Sequence, residues 1–300
     1  MRKKMITAIL AASMVLSMGG MAVYADETES GAEGAETAFT ESPDGSGLLE
    51  DGVFSIANEC GYAPYNWSQP DDSNESVPIQ DTSEYSNGYD IMIAKKICDA
   101  YGWKLEVNRL DWDSLIPAVQ SGQVDAIIAG QSMTAERAEQ VDFAGPYLYA
   151  SIVVLTKQDS DFADAKGISD LSGGKCTSQM GTIWYDKCLP QIEGADIQEA
   201  AESAPAMLMA LETGTVDYVC TDMPTAQGAL IAYPDMKILD FTDTDDNFDV
   251  SDEDINIGIS VKKGNTALKD EIDAVLATMD KDDFDSIMGD AVKIQPISGE

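Results

Sequence analysis

The chain has 300 residues and carries 54 acidic against 18 basic side chains, a formal net charge of -36. So negative a chain repels nucleic acids and anionic lipid headgroups, which excludes nucleic acid as a partner. The sequence contains no histidine. It therefore lacks the serine–histidine and cysteine–histidine machinery of nucleophilic catalysis, and its spacing of cysteines fits no zinc site.

The first 25 residues are predicted to be a secretory signal peptide. A basic start at 2–4 precedes an apolar stretch over 5–18, and small residues lead to Ala25. No cysteine follows until Cys60, so no lipid anchor adjoins the cleavage position. No later apolar run is long enough to cross a bilayer. We therefore expect an exported protein, located in the periplasm or outside the cell.

Residues 26–51 are predicted to be a disordered acidic linker. They are rich in Gly, Ser and Thr and have few large apolar side chains that could offset the entropy of ordering. The roughly 250 residues that follow are enough for one large or two medium domains. They contain five cysteines, an odd number, so at least one thiol must be free.

Predicted strands and helices alternate along the rest of the chain. Strands are expected at 53–57, 104–107, 151–156, 175–178, 197–200 and 255–261, with helices at 89–101 and 267–279. The acidic segment 68–87 could cover the mouth of a cleft or have no fixed structure. After residue 261 we predict only one helix and a tail, which return to the first half of the chain.

One pattern of helix, glycine and strand occurs twice. LIPAVQSGQVDAIIAG at 115–130 and MLMALETGTVDYVCTD at 207–222 align without gaps and share Gly-x-Val-Asp. Each glycine suits the left-handed position after a helix. A helix that leads into a buried strand is common, so coincidence is the alternative. We favour two related α/β lobes, 52–148 plus 256–300 and 149–255, with two crossings that form a hinge and a cleft between them.

The segment AGQSMTAERAEQVDFAGPY places Arg137 shortly after an apolar strand. Taken alone, this pattern favours an exposed helix residue paired with Glu136 or Glu139. The wider sequence favours a ligand contact, because a planar guanidinium binds a carboxylate through two parallel hydrogen bonds and stays charged when desolvated.

Several stretches resemble the extracellular solute-binding proteins of amino-acid ABC transporters, bacterial solute-binding protein family 3. They are GYAPYNW, NGYDIMIAKKI, WDSLIPAVQSGQVDAIIAG, SMTAERAEQVDFAGPY, GTVDYVCTD and IGISVKKGN, and the resemblance covers about residues 52–290. It implies two α/β lobes of the type II periplasmic-binding-protein kind, joined by two hinge strands. It also implies a monomer that binds a free amino acid and delivers it to a membrane permease, with no catalytic residue, cofactor or metal.

The same resemblance implies the residues that contact the ligand: Glu59, Tyr62, Tyr89, Gly130, Ser132, Arg137, Gln179, Thr182 and Asp222. Arg137 would bind the α-carboxylate and Asp222 the ammonium group, from opposite lobes. The two tyrosines would be aromatic walls, although core packing is their commoner role. Glu59 would be a second acidic contact, and capping is the alternative for both carboxylates.

The remaining members of this set have smaller expected roles. Gly130 and Ser132 would contribute backbone and hydroxyl bonds, and Thr182 an N–H to the ligand's carboxylate. Gln179 is expected nearest the ligand's side chain. Trp67 and Trp184 are weaker candidates for the walls.

The charge of the predicted site limits the ligand. Arg137 is its one evident cation, so a second ligand carboxylate would be left unpaired. Neutral polar or aromatic amino acids are therefore expected first and cationic ones next, ahead of acidic ones. The alternatives are a dehydratase on the same scaffold, with Glu59 or Asp222 as general acid, and a ligand-sensing module.

Overall fold

A computed structural model describes residues 45–296, apart from the side chains at 252 and 253. The predicted signal peptide and most of the predicted linker lie outside the described residues. The strands are β1 Val53–Asn58, β2 Gly61–Tyr62, β3 Asn66–Gln69, β4 Val77–Pro78, β5 Tyr85–Asn87, β6 Lys104–Arg109, β7 Ala126–Ile127, β8 Val141–Leu148, β9 Ile152–Lys157, β10 Lys175–Thr177, β11 Asp196–Ile197, β12 Tyr218–Asp222, β13 Met236–Leu239 and β14 Ile257–Lys262. The helices are α1 Tyr89–Tyr101, α2 Leu115–Ser121, α3 Ala135–Ala138, α4 Ala204–Glu212, α5 Met223–Ala232, α6 Asp252–Ile255, α7 Thr266–Leu276 and α8 Lys281–Ile294.

The strands form two five-stranded sheets of the same topology. The order is β6-β1-β7-β14-β8 in the first sheet and β11-β10-β12-β9-β13 in the second. In each sheet the first three strands are parallel and the fourth is antiparallel to both of its neighbours. The prediction of two α/β lobes is confirmed. We call the sheets with their helices the first and second lobe.

The chain crosses between the sheets twice. It leaves the first sheet after β8, enters the second at β9, and returns after β13 through α6 to β14. The lobe limits predicted from the sequence fall at these two connections, and we keep them as proposed limits.

The repeated Gly-x-Val-Asp has the same local structure in both lobes. Gly122 and Gly214 have φ angles of +73° and +70°, which favour glycine. The carboxylate of Asp125 accepts a hydrogen bond from the backbone N–H of Ser55 in β1, and that of Asp217 accepts one from Lys175 in β10, both at 2.8 Å. The shared aspartate therefore ties each αβ unit to the parallel strand beside it in the sheet.

Two terminal segments differ from the sequence prediction. Residues 45–51, assigned to the linker, pack on the first lobe, because the side chain of Leu48 is buried and the N–H of Leu49 donates to Asp125. A second helix, α8, follows α7 where only a tail was expected. Asp280 begins this helix with a capping box, and α8 packs against α1 and β8 of the first lobe and also against α5 of the second.

The segment at 68–87 contributes to a small antiparallel sheet of order β2-β3-β5-β4. Ile79 forms a bridge to Val107 of β6, which attaches this sheet to the edge of the first lobe. All five cysteines are buried free thiols. Within residues 45–296, no helix is both long and apolar enough to span a membrane.

Candidate functional site

The loops that follow the strands of one lobe meet those of the other. Arg137, which lies after β7, contacts Gly181 after β10, and Tyr62 in β2, after β1, contacts Asp222 at the end of β12. These are the carboxyl ends of parallel strands, where open α/β sheets bind their ligands. Some of the predicted site residues lie within this cleft, and others lie outside it.

Arg137 is held in the cleft by short-range contacts. Thr134 begins α3, and its hydroxyl accepts the backbone N–H of Arg137 at 3.3 Å. The guanidinium donates to the carbonyl of Ser132 at 2.9 Å and, across the cleft, to the carbonyl of Gly181 at 2.8 Å. It also lies 5.3 Å from the centre of the Trp112 ring.

The surroundings of Arg137 leave it charged. Burial lowers the pKa of Arg137 to about 10, and the nearby carboxylates of Glu136 and Asp186 oppose the shift. Its two side-chain hydrogen bonds go to carbonyl oxygens, and neither goes to Glu136 or Glu139. The site thus presents a protonated guanidinium at neutral pH.

Six of the predicted residues line one small cavity: Tyr62, Gly130, Ser132, Arg137, Gln179 and Thr182, together with Trp112 and Trp184. Its volume is about 10 Å³, which is room for a single water molecule. A neighbouring cavity of about 370 Å³ shares the walls Trp112, Arg137 and Thr182. An amino acid could reach the small cavity only if the lobes moved apart about the two crossings.

Asp222 adjoins this cavity through Tyr62. It is 1% exposed and begins α5, where its oxygens accept the N–H and the hydroxyl of Thr225 at 2.9 and 3.0 Å. The hydroxyl of Tyr62 donates to the same carboxylate at 2.8 Å, and that of Tyr65 donates at 3.2 Å. Burial raises the pKa of Asp222, and these hydrogen bonds oppose the shift.

Glu59 lies in an acidic part of the cleft. A cavity of about 420 Å³ is lined by Glu59, Asp111, Trp112, Asp113, Met180, Glu202 and Ser203. Burial raises the pKa of Glu59 to about 7; the side chain of Gln179 opposes this, and the charges of Asp111 and Asp113 add to it. The part of the chain that the structure describes holds no cluster of acidic or cysteine side chains suited to a metal ion.

Two buried polar atoms at this end lack hydrogen bonds. Within the described residues, neither Oε2 of Glu59 nor Nε2 of Gln179 has a partner. The side chain of Gln179 nevertheless lies close enough to Glu59 to lower its pKa, so the two side chains are neighbours whose hydrogen bond falls short of ideal geometry.

Tyr89 is not a wall of the cleft, which corrects the sequence prediction. It opens α1 and is fully buried in the first lobe, where its ring stacks on Tyr147 at 5.6 Å and its hydroxyl donates to the carbonyl of Tyr147. The first turn of α1 faces the sheet, which buries the ring. Trp67 lies outside the small cavity as well, whereas Trp184 lines it.

Two aromatic residues of the cleft were missed. Trp112 is a wall of all three cavities described above. The sequence pattern that could have indicated Trp112 is an aromatic residue in the loop between the strand predicted at 104–107 and the helix that begins at Leu115. Tyr65 contacts Asp222, which lies 157 positions further along the chain. No local pattern predicts that pairing.

Most of the chain matches a known protein family. The family described as bacterial extracellular solute-binding proteins, family 3, matches residues 69–289. The chain belongs to this family. Its match takes in both lobes of the fold, and the resemblance inferred from the sequence is confirmed.

Several relatives of this solute-binding protein are named as amino-acid-binding proteins. A probable histidine-binding protein of Campylobacter jejuni is 28% identical over 61% of this chain and 65% of its own length. A probable histidine-binding protein of Neisseria gonorrhoeae is 26% identical over 78% of this chain and 81% of its own. The arginine-bound substrate-binding protein AbpA of a Streptococcus pneumoniae amino acid ABC transporter superposes with a TM-score of 0.67 at 26% identity, over 81% of this chain and 95% of its own.

Proposed function

We propose that this solute-binding protein binds a free amino acid between its lobes and delivers it to the permease of an ABC transporter. The observation that carries the proposal is the pairing of opposite charges across one cleft. The guanidinium of Arg137, from the first lobe, lines the small cavity, and Asp222, from the second, adjoins it through Tyr62. A zwitterion has a carboxylate for the one group and an ammonium for the other.

The ligand's side chain is proposed to be cationic. Four acidic side chains line the cavity beside Trp112: Glu59, Asp111, Asp113 and Glu202. Their negative potential would stabilise a cation and repel an acidic side chain, and the face of the indole ring adds to the attraction. The sequence alone ranked neutral polar and aromatic ligands first. The acidic lining now favours arginine, lysine or histidine ahead of them.

A thermal-shift screen tests this proposal. The mature protein would be unfolded, stripped of ligand, refolded and screened against the twenty amino acids. A ligand that binds only the folded state stabilises it by about 4 kcal/mol at a thousand times its Kd. We expect the largest rise in Tm with a cationic amino acid. Shifts with glutamate or aspartate alone, or no shift with any amino acid, would contradict the proposal.

One observation supports a dehydratase as a second candidate. Glu59 has a pKa raised by burial to about 7, which suits a general acid at neutral pH. Incubation with prephenate or arogenate would give an aromatic product that is detected by its absorbance. Turnover that is lost in Glu59→Gln would favour the enzyme, and its absence would leave binding as the function.

A further inference from the structure

Donors from its own chain surround the carboxylate of Asp222. An ionised carboxylate offers about four lone-pair sites. Oδ1 of Asp222 accepts from the N–H of Thr225 and the hydroxyl of Tyr65, and Oδ2 accepts from the hydroxyl of Tyr62. The one hydroxyl proton of Thr225 is within reach of both Oδ2, at 3.0 Å, and the hydroxyl oxygen of Tyr62, at 3.1 Å. At least three of the four positions are therefore filled, and an ammonium group that makes more than one hydrogen bond to this carboxylate must displace a donor.

The two tyrosines are the donors able to leave. Thr225 lies in the first turn of α5, three residues after Asp222, and stays in place whenever that helix is formed. Tyr62 and Tyr65 belong to the first lobe, so a movement of the lobes withdraws both hydroxyls together. The two hydroxyls donate to the carboxylate that is proposed to accept hydrogen bonds from the ligand's ammonium group.

The first lobe holds both rings in a fixed position. The rings of Tyr62 and Tyr65 stack at 4.8 Å with an angle of 22° between their planes, and both are buried. Gly130, at a φ of +64°, lies beneath them: a Cβ there would be 3.1 Å from Tyr62 and 3.2 Å from Tyr65. The rings of Tyr65 and Tyr89 pack edge to face, with their centres 6.3 Å apart. The two hydroxyls are thus preorganised toward the other lobe.

We propose that the hydroxyls of Tyr62 and Tyr65 hold the two lobes together through Asp222 and compete there with the ammonium group of the ligand. The competition rests on the proposed function, whereas the contact between the lobes does not. Ligand affinity then depends partly on how strongly the hydroxyls of Tyr62 and Tyr65 bind the carboxylate of Asp222.

Tyr65 is the residue through which this is tested. Tyr62 is also a wall of the small cavity, so its replacement would remove a ligand contact as well, but Tyr65 is not a wall of that cavity. Tyr65→Phe removes one hydroxyl and keeps the stacked ring. Tyr218→Phe is the matched control, because Tyr218 is equally buried and its hydroxyl donates to the carbonyl of Leu171 within the second lobe.

The first measurement uses no ligand. Small-angle X-ray scattering on ligand-stripped protein should give a larger radius of gyration for Tyr65→Phe than for the wild type, and an unchanged one for Tyr218→Phe. Equal radii for all three proteins would overturn the contact between the lobes.

The second measurement is calorimetric titration with L-arginine. Because a hydrogen bond to a charged group is lost from the competing arrangement, Tyr65→Phe should bind at least about tenfold more tightly than the wild type. Tyr218→Phe should bind as the wild type does. Unchanged or weaker binding by Tyr65→Phe would overturn the competition. If the wild type binds no amino acid in the thermal-shift screen, the proposed function and the competition both fail, while scattering still decides the contact between the lobes.

Discussion

Replacing Glu59 by glutamine should change how stability depends on pH. The pKa of Glu59 is raised from 4.5 to about 7, mainly by burial. The folded state therefore keeps a proton that the unfolded state loses near pH 4.5. The resulting stability is fully present below pH 4.5 and is lost as pH rises through 7. A shift of this size corresponds to about 3 kcal/mol, which partial solvent access reduces to about 2 kcal/mol.

The assay is urea unfolding of ligand-stripped protein at several pH values between 4.5 and 8. Over this range the wild type should lose about 2 kcal/mol more of its free energy of unfolding than Glu59→Gln, which cannot titrate. Asp90 and Asp125 also have pKa values raised by burial, to about 7 and about 6, but they are present in both proteins and cancel in the difference. Glu59→Asp keeps a carboxyl group and should keep most of the slope. Parallel curves for the wild type and Glu59→Gln would refute the raised pKa of Glu59.

Three further predictions concern binding of L-arginine, each measured by calorimetry. Arg137→Lys keeps the charge but loses the fork that bridges Ser132 and Gly181, so affinity should fall about 100-fold; an unchanged Kd would place the carboxylate elsewhere. Trp112→Leu removes the ring beside the guanidinium, and roughly tenfold weaker binding is expected, whereas no change would exclude the ring from the site. As pH increases toward 7, affinity should increase by up to about tenfold per pH unit, because a cationic ligand favours ionised Glu59. Binding below pH 7 should therefore release a proton, and Glu59→Gln should release none.

The parts of the fold that local chemistry determines could be predicted from the sequence. The glycine after each repeated helix and the aspartate that follows it act on their own backbone and on the neighbouring strand. The repeated Gly-x-Val-Asp pattern was therefore enough to predict two related lobes. Helix α8 had a comparable signal, since its buried residues Phe284, Met288 and Ala291 recur at helical spacing. The prediction of a tail without a second helix overlooked that spacing.

The aromatic residues show where a sequence stops being informative. Tyr89 and Trp112 both stand near the start of a helix, and sequence favoured Tyr89 for the cleft. The structure buries Tyr89 against Tyr147 and places Trp112 beside Arg137. Which ring faces the cleft depends on how each helix lies on the sheet, and residue type alone does not determine that. The contact of Tyr65 with Asp222 likewise exists only once both lobes are folded.

Recognition of both ends of a zwitterion by Arg137 and Asp222 is the central claim. Its most direct test compares three ligands by calorimetry on the same ligand-stripped protein: L-arginine, agmatine, which lacks the carboxylate, and des-amino arginine, which lacks the ammonium group. Because agmatine has no carboxylate for Arg137, and the des-amino analogue leaves Asp222 with neutral donors in place of an ammonium group, each should bind at least about 100-fold more weakly than L-arginine. Agmatine or the des-amino analogue binding as tightly as L-arginine would contradict the account.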